Sequence, residues 1–118
     1  MSPGQPLLVG VDVGTTLTKA GAVDLEGREV AHAAAPTVWQ REPSGGHARP
    51  EDLFAGAAAA LRAVLQKAPA GEVLGVGVTS MAETAVLIGP AGTGIGPAVA
   101  WYDGRAAEDF TELKSAGF

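Results

Sequence analysis

The sequence predicts an α/β fold, a mixed sheet with helices, and three observations carry that prediction. Leu7 to Val13 and Leu17 to Val23 are apolar runs of strand length separated by a tight polar turn. From Glu51 to Lys67 the apolar residues change to a helical period. Val73 to Thr79, read Val-Leu-Gly-Val-Gly-Val-Thr, then returns to strand character. At 118 residues the chain is one domain at most.

The first strand stops at Asp12-Val13-Gly14-Thr15-Thr16, and Lys19 follows in the second. A carboxylate at the mouth of a strand, then a glycine and two hydroxyls in a turn, suits metal-bound phosphate. Asp12 can hold Mg²⁺ directly or through water, Gly14 lets backbone approach an anion, and Thr15 and Thr16 offer hydroxyl and N–H donors. Lys19 adds a cation. The same residues also make an ordinary polar hairpin turn. The spacing is neither that of a P-loop nor that of a dinucleotide fingerprint, which leaves strand–loop–strand as the structural expectation.

Asp24-Leu25-Glu26-Gly27 carries turn chemistry, so Arg28 to Ala35 is expected as a third antiparallel strand. Pro36 to Pro50 reads as a loop, with Trp39 either pinning it to the core or stacking on a ligand, and His47 solvated beside two glycines. The helix expected next presents Leu53, Phe54, Ala57, Leu61, Val64 and Leu65 on one stripe, has acidic residues in its first turn and Lys67 in its last, and ends at Pro69-Ala70-Gly71. Val73 to Thr79 is expected as a buried strand whose glycines permit close packing. Ser80-Met81-Ala82-Glu83-Thr84 follows it, and Ala85 to Ile88 is expected to continue as strand. Ligands collect beyond the carboxyl ends of strands in open α/β sheets, which makes Glu83 a candidate for substrate hydroxyls; a solvated strand-end residue is the alternative. Pro97 to Ala100 reads as a short strand. Trp101-Tyr102-Asp103-Gly104-Arg105 is a second polar cluster, and a helix is expected from Ala106 to Lys114. Asp103 and Arg105 can bind a polyol or pair with each other, and Asp103 can equally cap the helix.

Composition bounds the rest. Hydrophobic residues make up 47% of the chain but aromatics only 5%, and much of the apolar content is alanine, so the core is thin, as in an incomplete domain. A formal net charge of −5 leaves no basic footprint for nucleic acid or an acidic membrane surface. The absence of cysteine excludes disulfides, thiolate metal sites and thiol nucleophiles within these residues. There is no basic leader and no membrane-length apolar run, so a cytoplasmic protein is expected.

Val9 to Lys19, Gly75 to Ile88 and Pro97 to Arg105 together resemble, in order, the N-terminal region of FGGY-family carbohydrate kinases, a group that includes xylulose, gluconate and glycerol kinases. The resemblance extends to the hairpin with Asp24 and Gly27 and to the ending Pro-Ala-Val-Ala-Trp-Tyr-Asp-Gly-Arg. It implies a partial actin-like, ribonuclease-H-like ATPase domain, with residues 1–118 as the leading part of the N-terminal domain. It also implies ATP and Mg²⁺ as cofactors and transfer of the γ-phosphoryl to a hydroxyl of a sugar, sugar acid or polyol. Asp12, Gly14, Thr15, Thr16 and Lys19 match the family's first phosphate loop, with Asp12 toward the metal. Ala82, Glu83, Asp103 and Arg105 match substrate-side positions. Met81 and Ala82 stand where glycerol kinases carry glutamine and arginine, which disfavours glycerol. The catalytic base of the family lies in a later segment and its adenosine motif in a second domain, so no catalytic residue is expected here and the chain alone is expected to be inactive. A homodimer of the full-length protein is among the states the resemblance allows. Readings of another class are a nonenzymatic actin-like nucleotide-binding module and a sugar-binding remnant without transfer.

Overall fold

The computed structural model describes residues 4–118, and these fall into two compact units. The first comprises the chain up to Val38 together with Glu51 to Met81; the second comprises Trp39 to Pro50 and Ala82 to Phe118.

In the first unit, strands β1 (Leu7–Val13), β2 (Leu17–Val23) and β3 (Glu29–Pro36) form the expected antiparallel meander. Helix α1 (Pro50–Lys67) follows β3 after the intervening segment of the second unit, and β6 (Val73–Ser80) then returns parallel to β1, giving the mixed sheet order β3-β2-β1-β6. Strand alternation places Val9, Val11, Ala20, Ala22 and Ala31 on one face, where they pack with Ala60 and Val64 of α1. Burying each valine there contributes about 1.5–3 kcal/mol, whereas each alanine contributes less, so the core is as thin as the composition predicts. The stripe of α1 is narrower than expected: Ala60 and Val64 are buried, and Phe54 and Leu65 are exposed.

Strand β6 differs from expectation in burial. Register sets Val76 beside Val9 and Val78 beside Val11, yet Val76 is 55% and Val78 75% exposed. The core cluster draws on β1, β2, β3 and α1 but on no residue of β6, one of the two edge strands of the sheet. Apolar parallel strands are normally covered on both faces, so the composition of β6 matched a burial that the described residues do not provide.

The hairpin between β2 and β3 is held by Asp24, which is 2% exposed. Its Oδ1 accepts from the backbone N–H groups of Glu26 and Arg28, its Oδ2 accepts from Arg28 Nε at 2.7 Å, and Gly27 supplies the positive φ of 81° the turn requires.

The second unit corrects the reading of 36–50 as a loop. Pro36 ends β3, and β4 (Gln40–Glu42) pairs antiparallel with β5 (Gly45–Ala48). Strand β5 in turn pairs with β9 (Ala98–Val99), so this hairpin is joined into a sheet by a partner about fifty residues away that local periodicity does not reveal. His47 accordingly lies within β5, with only 18% of its side chain exposed. Trp39 packs edge-on against Tyr102, ring centroids 6.1 Å apart, and Tyr102 packs edge-on against Trp101. Only Leu87–Ile88 of the expected 85–88 strand forms, as β7, pairing with β8 (Gly94–Ile95). Helix α2 (Ala107–Ser115) closes the chain, with Ala106 at its N-cap and no side-chain capping bond, so Asp103 is not its cap.

Candidate functional site

In the first unit, Gly14, Thr15 and Thr16 join β1 to β2 in a turn closed by the Gly14 N–H donating to Leu17 O at 3.0 Å. The turn is so tight that a Cβ on Gly14 would lie 2.7 Å from that oxygen, which is why the position takes glycine. Asp12 and Lys19 are cross-strand partners at the foot of this turn, with Nζ 3.7 Å from Oδ2 and both side chains substantially exposed. An exposed pair of this kind contributes about 0–1 kcal/mol, so either partner is available to an incoming ligand at little cost. Thr79 of β6 lies beside Asp12. Met81 fastens the end of β6 to the turn, its N–H donating to Val13 O at 2.9 Å and its sulfur lying 3.8 Å from Thr15 Oγ1.

Thr37 completes the turn from behind. Its N–H donates to Thr16 O at 2.9 Å and its hydroxyl to Gly14 O at 2.7 Å, while Thr18 Oγ1 lies 3.0 Å from Thr37 Oγ1. Thr18 and Thr37 are 3% and 9% exposed. Two of the turn's carbonyls are therefore directed at a buried residue. A turn whose acceptors are satisfied internally is suited to an anion, because a carbonyl facing a phosphate repels it.

Among the described residues no three carboxylate or imidazole groups converge as a metal cage. A single exposed carboxylate beside a turn fits Mg²⁺ that arrives with phosphate, since this ion commonly keeps its waters and takes one or two carboxylates plus phosphate oxygens.

The second unit gathers the acceptor-side candidates. The Asp103 side chain is fully enclosed. Its Oδ1 accepts from the backbone N–H and Nε of Arg105, and its Oδ2 from the Gly46 N–H at 2.8 Å, Ser44 Oγ and Arg105 Nη2. The hydrogen bonds from Arg105 hold the carboxyl well below the usual carboxylate range, against the opposing effect of burial. These donors occupy the acceptor capacity of both oxygens, so of the two readings of this pair the internal one is observed. Gly45 is required beside it, since its φ is +147° and a Cβ would lie 2.7 Å from Asp103 Cα. Arg105 Nη2 also reaches Glu42 Oε2 at 3.2 Å. Glu42 Oε1 lies 3.3 Å from His47 Nδ1, outside hydrogen-bonding geometry.

Glu83 has a φ of +61° and is exposed. A glutamate in the left-handed region is uncommon and costs of order 1 kcal/mol or more, a strain that concentrates at ligand sites. Beside it, Thr84 Oγ1 accepts from the Trp101 N–H at 3.2 Å, which ties the 82–84 segment to the 101–105 cluster. Ala82 is exposed next to Glu83.

Residues 12–19 thus form one cluster, and residues 82–84 with 101–105 form another. Nothing in the sequence alone marks Thr37, Ser44, Gly46 or Glu42 as site residues. Thr18 carries one legible signal, a hydroxyl at a position of β2 that shares the buried face with Ala20 and Ala22.

The β3-β2-β1-β6 sheet, with its anion-suited hairpin between β1 and β2, is shared with kinases of the actin-like, ribonuclease-H-like fold, of which these residues form the leading part. The comparisons with known proteins name the family within that class. Residues 7–118 match the N-terminal domain of the FGGY family of carbohydrate kinases, and the chain belongs to that family. It is 32% identical to a glycerol kinase of Rhodopseudomonas palustris, covering 96% of this chain and 23% of the relative. It is 30% identical to an erythritol kinase of Brucella abortus, covering 91% of this chain and 21% of the relative. Among solved structures it resembles the xylulose kinase from Rhodospirillum rubrum, with a TM-score of 0.85 and 29% identity over 93% of this chain and 23% of that one. The gluconate kinase from Lactobacillus acidophilus gives a TM-score of 0.86 at 23% identity, over 96% of this chain and 23% of that one, a likeness of fold. The chain therefore spans less than a quarter of the length of these proteins. Among the described residues no helix is long and apolar enough to cross a membrane.

Proposed function

We propose that these residues are the leading part of the N-terminal domain of an ATP-dependent carbohydrate kinase, carrying its first phosphate loop and part of its acceptor site. The observation that carries the reading is the 14–16 turn, with the carbonyls of Gly14 and Thr16 bonded inward to Thr37 and Asp12 exposed at its foot.

Phosphoryl transfer depends mainly on positioning and on stabilising charge on the transferring group. When bound, Mg²⁺ would neutralise charge on the nucleotide phosphates. Asp12 would hold that ion directly or through its waters. Gly14, Thr15 and Thr16 bring the turn against the phosphates, and Lys19 leaves its exposed partnership with Asp12 to meet the phosphoryl group. On the acceptor side, Glu83 and Arg105 orient hydroxyls of a sugar, sugar acid or polyol, and Ala82 leaves room where a larger side chain would narrow the site. Asp103 acts through its neighbours, holding Arg105, Ser44 and the start of β5 in place. Met81 is engaged with the phosphate turn, and the pair Met81-Ala82 favours an acceptor larger than glycerol. The catalytic base and the adenosine site belong to parts of the longer enzyme beyond these residues, so the 118-residue chain alone transfers no phosphoryl group. Dimerisation of the full-length enzyme and the cytoplasm as its compartment, where ATP is the donor, go with this reading.

The test is Asp12→Ala in the full-length protein, assayed by ADP release across ketoses, sugar acids and polyols. Turnover is expected to fall by about two orders of magnitude or more with little change in acceptor binding. Wild-type turnover would remove the reading of Asp12 and the turn beside it as the phosphate site. Sugar-dependent ADP release from the 118-residue chain would overturn the reading of it as an incomplete site.

A further inference from the structure

We propose that Thr37 is a positioning residue for the phosphate loop, and that it works through a hydrogen-bond chain of fixed direction. This rests on reading residues 14–16 as that loop. A threonine hydroxyl has one proton to give. Thr37 spends it on Gly14 O at 2.7 Å, the shorter and better-defined of its two hydroxyl contacts. At the 3.0 Å contact it can then only accept, so the donor there is Thr18. The order is Thr18 to Thr37 to Gly14, and the backbone N–H of Thr37 adds a second bond to Thr16 O at 2.9 Å.

Thr37 thus grips the turn at both ends, one carbonyl at its first residue and one at its last. Both hydroxyls are buried, so water cannot replace either bond freely. If the Thr37 hydroxyl is lost, the Gly14 carbonyl is left without its partner and free to rotate toward the anion. If the Thr18 hydroxyl is lost, the bond to Gly14 stays intact. The direction of the chain therefore makes two isosteric substitutions unequal for the ligand, although each removes one buried hydroxyl.

The experiment is titration calorimetry of MgATP against the full-length protein and its Thr37→Val, Thr18→Val and Thr37→Ser variants, with thermal unfolding of each. Thr37→Val is expected to weaken MgATP binding about five- to tenfold. Thr18→Val should lower the melting temperature comparably yet hold MgATP affinity within about twofold, and Thr37→Ser should restore both. Equal losses of affinity in the two valine variants would assign Thr37 a merely structural role and overturn the proposal, as would undiminished affinity in Thr37→Val. Should Thr37→Val fail to fold, Thr37→Ser together with Thr18→Val still decides: tight binding in both supports the chain, and loss in Thr18→Val refutes its direction. Asp12→Ala, run alongside, separates the two readings. Wild-type turnover in that variant removes the phosphate-loop reading and this proposal with it, whereas lost turnover there with normal MgATP affinity in Thr37→Val removes this proposal alone.

Discussion

Replacing Gly14 with alanine tests the phosphate turn most directly. The added Cβ would sit 2.7 Å from Leu17 O, and an ordinary contact begins at 3.4 Å, so the turn must open by roughly 0.7 Å. The neighbour is backbone held in β2, which cannot swing aside like the end of a side chain. The 3.0 Å bond from Gly14 N–H to Leu17 O stretches or breaks, at a cost of about 1 kcal/mol, and residual crowding adds about 1–3 kcal/mol. For catalysis the displacement counts for more than the stability. Misplacing a reacting group by about 1 Å costs about 100-fold, so a shift of this size should lower kcat/KM for MgATP by about 10- to 100-fold. Steady-state ADP release from the full-length enzyme, at saturating acceptor, measures this, and the KM for the acceptor should change less than about twofold. A folded Gly14→Ala enzyme with wild-type kcat/KM for MgATP would refute the claim that this turn bears phosphate.

Gly45→Ala places a Cβ 2.7 Å from Asp103 Cα at a φ of +147°, and it should destabilise the protein by about 2 kcal/mol while raising acceptor KM more than MgATP KM. Glu83→Gly relieves the strain of φ +61°; its melting temperature should match or exceed wild type while acceptor binding weakens at least tenfold, and wild-type kinetics would remove Glu83 from the site. The Asp24 and Asp103 carboxyls both sit below their usual value near 3.8, chiefly through hydrogen bonds from Arg28 and Arg105. As pH falls the unfolded chain takes up these protons first, so the stability they contribute is complete above about pH 5 and is lost as acid moves below about pH 4. Acid unfolding of Asp24→Asn should accordingly be shallower than wild type over that range, and an unchanged slope would contradict the assignment.

Much of this arrangement is legible along the chain because its causes are local. The meander β1-β2-β3 follows from two strand-length apolar runs and from turns whose glycines and aspartates have few other uses. The helix follows from periodicity over its full length, and the phosphate turn is a contiguous segment whose residue types state their chemistry. Resemblance across three separated segments could then name the family, which the match over residues 7–118 shows.

The remainder depends on residues distant in sequence. The β4–β5 hairpin looks like a loop because what makes it a sheet is β9 and the Asp103 carboxylate, some fifty residues on. Asp103 and Arg105 present the same letters whether they await a polyol or bond each other, and only enclosure of the carboxylate with its donors separates the two. Thr37 follows a proline in an unpromising stretch, and its grip on Gly14 and Thr16 arises when β3 pairs with β2 and brings residue 37 back to residue 14. Local propensity writes the turn and its chemistry into the chain, whereas hydrogen-bond partners and burial are relations between segments and come into being when those segments meet.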